Sequence, residues 1–280
     1  MIETDIVRSA ARVVESLSGP VIALEGVDKV FANGMRGLDP IDLRIAPREF
    51  VSLIGPSGCG KSTLLKLIAN LIEPTGGRVQ WWGEDFRSVG IAGRRLAFVF
   101  QDPTLMPWAR IAENVGLPLE LAGVPSVEIA RRVDGALEHV GLTPFRRHYP
   151  RQLSGGMRMR ASIARALVTN PDVLLMDEPF GALDEFTRNK LDADLLQLSF
   201  ERHLTTVFVT HSLYEAVFLS TRIVVMASGP GRIFREFMVD EPEPRTEEFR
   251  TSTRFAEQCR ALSQILTQAA QASGILGETA

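Results

Sequence analysis

Cysteine is scarce, with Cys59 and Cys259 the only two in 280 residues. Two thiols cannot staple a chain of this size, which argues against a disulfide framework and fits a reducing compartment. Long apolar runs are missing too. No uncharged stretch approaches the roughly 18 residues that cross a bilayer, so the chain is expected to carry no membrane span. Residues 1–20 hold Glu3, Asp5, Arg8, Arg12 and Glu15 where a signal peptide needs an apolar block. The protein is therefore expected to stay in the cytoplasm where it is made. There is no basic excess either. A net charge of -3 sets aside nucleic acid as the main partner. No internal repeat is visible. What remains is 45% hydrophobic and 23% charged, an ordinary globular composition with length for one large domain or two small ones.

What is present is organised around Gly55-Pro56-Ser57-Gly58-Cys59-Gly60-Lys61-Ser62-Thr63, which reads G-x-x-x-x-G-K-S. The apolar run Phe50-Val51-Ser52-Leu53-Ile54 leads in and the helix-like stretch 64–70 follows, the strand-loop-helix setting that this phosphate-binding pattern requires. Glycines let the backbone fold into a nest of inward N–H groups. A helix starting near Gly60 adds about half a positive charge at its N-terminus. Lys61 has the reach for outer phosphates, and the Ser62 hydroxyl suits a Mg²⁺. A nucleoside triphosphate is the expected ligand. Cys59 lies where a helix start favours thiolate, yet it reads first as a small loop residue.

Around this loop the pattern is one of short strands, over 21–25, 41–45, 50–54 and 78–82, with breaks at Asn33-Gly34 and Pro47-Arg48-Glu49. Phe31 falls beside the first break. A lone phenylalanine is usually core, and an aromatic ring is also what a flat adenine stacks on; both readings stay open at this point. Trp81 and Trp82 read as packing. Another buried strand, 96–100, ends at Gln101-Asp102, a polar tip of the kind that carries ligand contacts in α/β sheets. From 103 to about 165, prolines 103, 107, 118, 125, 144 and 150 separate helical pieces, one of them over 126–140. No strand-like run occurs there, so the segment reads as a helical insertion between sheet strands.

Leu153-Ser154-Gly155-Gly156-Met157 precedes a helix over 158–169. It is a second anion-binding terminus by the same physics as the first, or a plain N-cap. Val173-Leu174-Leu175-Met176 then ends in Asp177 and Glu178. Carboxylates at a strand tip downstream of a phosphate loop fit a metal at Asp177 and a water polarised by Glu178; solvated strand-end acids are the plain alternative. Residues 179–184 open a helix over 185–203. A strand over 205–210 ends at His211, from where a histidine can reach a terminal phosphate or the attacking water. Two more strands, 222–226 and 233–239, close around Ser228-Gly229-Pro230-Gly231. At the ends, 1–20 reads as an extension with apolar residues at helical spacing. Residues 241–245 read as a linker, and 247–272 as one last helix with Phe255, Cys259, Leu262 and Leu266 on a common face.

Taken in order, the phosphate loop at 55–63, Gln101, L-S-G-G-M at 153–157, D-E-P at 177–179, A-L-D at 182–184 and His211 resemble the ATP-binding subunit of ABC transporters over residues 21–240. The resemblance implies an α/β fold, a P-loop NTPase of ABC ATPase type. Its mixed core sheet would carry an antiparallel β subdomain and a helical subdomain at about 103–165. It implies ATP held by Gly55, Pro56, Ser57, Gly58, Cys59, Gly60, Lys61, Ser62 and Thr63, with Phe31 stacked on the adenine. Ser154, Gly155, Gly156 and Asp184 would complete the site across two chains. Ser62, Gln101 and Asp177 would surround Mg²⁺, with Glu178 as catalytic base and His211 and Lys61 beside it. Two departures stand out: Met157 where many members have glutamine, and Gly181 where many have serine. Neither removes a phosphate ligand or the base.

The resemblance further implies two copies, or this chain and a similar ATPase subunit, paired head to tail. It implies transmembrane permease subunits as direct partners, a solute-binding protein as an indirect one, no nucleic acid, and a peripheral location on the inner face of the cell membrane. The run from Gln101 to Trp108, with Phe180 to Asp184, looks most like the importer branch for nitrate, sulfonates, taurine and related small organic solutes. ABC ATPases that act on nucleic acid or ribosomes usually carry two ATPase units or a long coiled-coil insertion, and neither is read here. Intact Lys61, Asp177, Glu178 and His211 argue against a non-hydrolysing regulatory subunit. If residues 241–280 only pack, their deletion is expected to leave basal ATPase largely intact.

Overall fold

Apolar residues alternate along the central strands and so build two cores at once. In β6 (Val173–Asp177), Val173 and Leu175 join one buried cluster while Leu174 and Met176 join the other, the two-residue period of a strand covered on both faces. A computed structural model of the chain describes residues 19–90, 94–181, 183–242 and 245–274. The main sheet contains β3 (Phe50–Ile54), β5 (Leu96–Val99), β6, β7 (Thr205–Val209), β8 (Arg222–Ala227) and β9 (Arg232–Met238). Its spatial order is β5-β6-β7-β3-β8-β9. All neighbours run parallel except β9, which is antiparallel to β8. The mixed core sheet expected from the sequence is present.

A second sheet, antiparallel, has the order β2-β1-β4 and contains β1 (Ile22–Val30), β2 (Arg36–Ile45) and β4 (Gly76–Trp81). It covers α1 (Lys61–Ile68), so that Ile22, Leu24, Leu43 and Trp81 share a cluster with Leu64, Leu65 and Ile68. Trp81 is packing, as its strand position implied, and its Nε1 donates to the Ile68 carbonyl at 2.9 Å. That bond satisfies one of the carbonyls which a helix end leaves without an internal partner.

The insertion between β5 and β6 is helical and has its own apolar centre. Ile111, Val115 and Leu119 of α2 (Ile111–Leu121) meet Val133 and Leu137 of α3 (Ser126–His139) and Ala161 and Ala164 of α4 (Gly155–Leu167). Pro118 lies inside α2 rather than between helices. It removes the donor that would have reached the Asn114 carbonyl, and burial of the α2 apolar face offsets the loss.

The C-terminal stretch departs from its expectation in two ways. The anticipated single helix is α7 (Glu247–Arg250) and α8 (Thr253–Ala272), because the Ser252 hydroxyl accepts the Phe255 N–H at 3.1 Å and starts a new helix. The anticipated linker is anchored: Arg245 is buried and its Nη1 donates to the Phe218 carbonyl at 2.9 Å. Phe249, Phe255, Cys259, Leu262 and Ala269 complete the core that also buries α5 (Glu185–Glu201) and α6 (Leu213–Leu219). The helical spacing expected at the N-terminus falls on residues 1–18, outside the described residues. Among the described residues no helix is long and apolar enough to cross a membrane.

Candidate active site

Sheet order assembles the site. β5, β6, β7 and β3 are consecutive in space, so the residues that follow them stand side by side at the carboxyl edge, where open α/β sheets bind ligands. Those residues are Gln101, the pair Asp177 and Glu178, His211, and the loop 55–60. With Phe31, Arg36 and Pro230, all of these but Pro56, Cys59 and the buried Asp177 line a cleft of about 930 Å³.

Helix α1 begins at Lys61 directly after Gly60, whose φ of 91° is left-handed. A Cβ at Gly60 would run into the Leu38 side chain, so both conformation and space demand glycine there. Lys61 Nζ donates to the carbonyls of Gly55 and Pro56 at 2.8 and 3.0 Å, which sets the ammonium at the mouth of the loop. Cys59 is wholly buried beneath it, and burial raises the thiol above its ordinary range against the pull of Lys61. The cysteine is a small loop residue, not a thiolate. Both cysteines are free and buried.

Across the cleft floor, Ser62 Oγ donates to Asp177 Oδ1 at 2.8 Å. Burial pushes the Asp177 carboxyl upward, and the Ser62 hydrogen bond opposes that shift. Glu178, one residue beyond the strand, has φ 45°, a left-handed backbone that costs a non-glycine residue free energy. The N–H of Glu178 donates to the Val209 carbonyl at 3.0 Å, which fixes this turn against β7. The Glu178 carboxylate meets His211 Nδ1 at 3.2 Å, with side chains 23% and 60% exposed. The pair is partly open to solvent, and both side chains line the cleft.

Phe31 does not enter the buried clusters. Its ring lies against Gly37, where a Cβ would come within 2.6 Å of Cε2, and its exposed part lines the cleft. The ring thus faces the cleft rather than the core. Ser154, Gly155, Gly156 and Asp184 are not among the cleft residues. Ser154 caps α4 by accepting the Met157 N–H at 3.3 Å, and Asp184 caps α5 by accepting the Thr187 N–H at 2.9 Å. These backbone bonds hold the Asp184 carboxyl below its usual range. The two caps adjoin each other, since a Cβ on Gly156 would come within 2.7 Å of Leu183 Cδ2.

Sequence reasoning passed over two arginines. Arg36 lines the cleft from β2. Arg165 of α4 donates to the carbonyls of Pro103 and Thr104, both at 2.9 Å, and so ties the segment after Gln101 to the helix behind Ser154. Nothing in the local sequence marks either of them: Arg165 acts through partners some sixty residues away, and Arg36 pairs with Asp39 like any surface arginine. Chemically, the cleft joins a backbone nest and ammonium for phosphates, a hydroxyl-carboxylate pair for a hard cation, and a carboxylate-imidazole pair for a water.

Comparison with known proteins agrees with this geometry. The family model described as ABC transporter matches residues 38–181. An uncharacterized ABC transporter ATP-binding protein of Methanocaldococcus jannaschii is 44% identical over 251 residues, covering 88% of this chain and 91% of its own. The aliphatic sulfonates import ATP-binding protein SsuB of Bacillus cereus is 40% identical, covering 84% of this chain and 92% of its own. The bicarbonate transport ATP-binding protein CmpC of Synechococcus elongatus is 45% identical over 80% of this chain but only 34% of its own length. Among solved structures, a dimeric post-hydrolysis ATP-binding cassette bound to ADP and Pi superimposes with a TM-score of 0.72 at 34% identity, covering 79% of this chain and all of its own. With its phosphate loop, strand-tip acids and histidine gathered at one sheet edge, this chain belongs to the ABC transporter family as an ATP-binding ATPase.

Proposed function

We propose that this chain is the ATP-hydrolysing subunit of an importer and powers solute movement through separate transmembrane permease subunits, with a solute-binding protein as indirect partner. The observation that carries the catalytic part is the position of Glu178. It lies between Asp177, which is buried and bonded to Ser62, and His211, and Glu178, His211 and Ser62 line the cleft together with Lys61. In this assignment residues 55–63 cradle the phosphates of ATP, Phe31 stacks on the adenine, and Lys61 neutralises the outer phosphates. Glu178 accepts a proton from the attacking water, and His211 orients that carboxylate and the terminal phosphate.

Mg²⁺ fits the residues present. Among the described residues there is no cluster of three His, Cys, Asp or Glu that could cage a metal. Ser62 Oγ and Asp177 Oδ1 offer the one or two hard oxygens with which a phosphate-borne Mg²⁺ is usually held. When bound, the ion supplies charge neutralisation across the phosphates. Ser62 and Asp177 would hold it, with Gln101 at the rim.

Two copies act together. Ser154, Gly155, Gly156 and Asp184 lie away from their own cleft, and in this assignment they close over the nucleotide of a second copy. The names of the relatives point to a small oxyanion cargo, a sulfonate or bicarbonate, alongside the nitrate and taurine suggested by the sequence. Disruption of the gene in its host should abolish uptake of one of these four labelled solutes, restored by the wild-type chain and not by Lys61→Ala. Undiminished uptake of all four would contradict the importer assignment.

A further inference from the structure

Arg250 lies outside the cleft, yet its guanidinium touches both helices that leave the cleft's edge. On α5, Nη2 sits 3.1 Å from Asp192 Oδ2 and donates to the Asn189 carbonyl at 3.3 Å, while Nη1 donates to Asn189 Oδ1 at 3.1 Å. On α6, the same group lies over the Phe218 ring, 3.5 Å from its centroid. One turn nearer the start of α5, Arg188 pairs with Glu215 of α6 at 3.4 Å and donates to the Leu183 carbonyl at 2.7 Å. Glu215 accepts a short hydrogen bond from the Thr210 hydroxyl. The Thr210 hydroxyl accepts the Ser212 N–H at 2.9 Å, and the Ser212 hydroxyl accepts the Glu215 N–H at 3.3 Å. The backbone on both sides of His211 is thus pinned by a cluster whose outermost member belongs to the C-terminal segment.

Burying such a cluster is costly. Asp192 is completely inaccessible and the Arg250 side chain is 11% exposed. Buried ion pairs seldom stabilise a fold more than apolar residues of the same shape, and a well-attested use is to fix one arrangement among several. The arrangement fixed here is the spacing between the 183–184 turn and the 210–212 turn.

We propose that Arg250 is a positioning residue for ATP hydrolysis, clamping α5 to α6 so that His211 is held at Glu178, which makes the C-terminal segment a working part of the ATPase. The proposal rests on the roles assigned above to Glu178 and His211. Asp192 faces Glu215 on α6, Arg250 on α7 and Arg188 on its own helix, while Glu247 pairs with Arg250 and His211 adjoins Glu215. Burial first, and the Glu215 charge second, push the Asp192 carboxyl up to about 7. Its Oδ1 has no hydrogen-bond partner among the described residues. As pH rises through neutrality Asp192 gains its charge and the clamp tightens. Fold stability moves the other way, because a carboxyl raised in the native state loses stability as pH climbs from the ordinary carboxylate range to about 7. The opposite signs separate positioning from a merely structural role.

The test compares Arg250→Lys, Asp192→Asn and His211→Ala in the full-length chain, reading kcat, KM for ATP and the thermal midpoint across neutral pH. Arg250→Lys keeps the charge but loses the planar fork and stacked plane. Its kcat should fall about fivefold, the net value of about one ordinary hydrogen bond, with KM and midpoint close to wild type. Asp192→Asn should fold and lose the rise in kcat through neutral pH. An inactive His211→Ala beside an Arg250→Lys with full kcat overturns the clamp alone. A His211→Ala with wild-type turnover overturns the role of His211, and the clamp with it.

Discussion

Glu178 holds a left-handed backbone at φ 45° beside a strand whose five residues are all buried. Strain of this kind persists where the surroundings over-determine it, and here the Val209 carbonyl and the Asp177 register supply the constraint. Glu178→Gln keeps size and hydrogen bonding but cannot accept the proton. Its ATP turnover should fall at least about 100-fold with nucleotide affinity retained, as read by phosphate release and equilibrium binding; unchanged turnover would remove Glu178 from the chemistry. Gly60→Ala should abolish nucleotide binding, since the new methyl meets Leu38 at a φ of 91°. Binding at wild-type affinity would show that the loop tolerates a side chain there. Gly181, where many members have serine, offers room: the nearest atom to an added Cβ is His211 Cε1 at 3.5 Å. These residues were legible in the sequence because each is a local motif of fixed spacing. Arg36, Arg165 and Arg250 were not, because an arginine on a helix or strand looks the same whether its partner is solvent or a carbonyl sixty residues away.

The elements that carry the motifs were readable from two-residue and helical periods, and β3 and β6 match the apolar runs read for them. The misreadings share a physical cause. Pro118 and Ser252 carry local preferences to break or start a helix, and packing decides which preference prevails. At Pro118 the apolar face of α2 outweighs a lost hydrogen bond, whereas at Ser252 the hydroxyl cap wins. The stretch 241–245 has linker composition, yet Arg245 is buried. The tail therefore does more than pack loosely. Leu262 of α8 is fully buried in the core shared with α5 and α6, and Leu262→Ala should cost about 2–5 kcal/mol in chemical unfolding. A change within a few tenths of a kcal/mol would mean that α8 is peripheral. Removal of residues 241–280 should destabilise the whole ATPase unit, whereas a tail that only packs would leave basal activity largely intact.

At the scale of the whole molecule, the function proposed above has the cleft completed by the Ser154-Gly155-Gly156 turn of a second copy. The turn lies against Leu183, beside the start of α5, and away from the cleft lined by Lys61 and Glu178. Sequence order alone could show two anion-binding helix starts but not their separation, which depends on how the helical insertion folds back. A dimeric cassette of the same fold, bound to ADP and Pi, shows that the architecture supports pairing. The most direct measurement is gel filtration of Glu178→Gln with and without a second change, Gly155→Asp, at saturating ATP. The expected result is an ATP-dependent dimer for Glu178→Gln, and for the double variant a monomer that still binds ATP, more weakly than the dimer does. Loss of nucleotide binding by the monomeric double variant, or an undiminished dimer, would contradict a site shared between two copies.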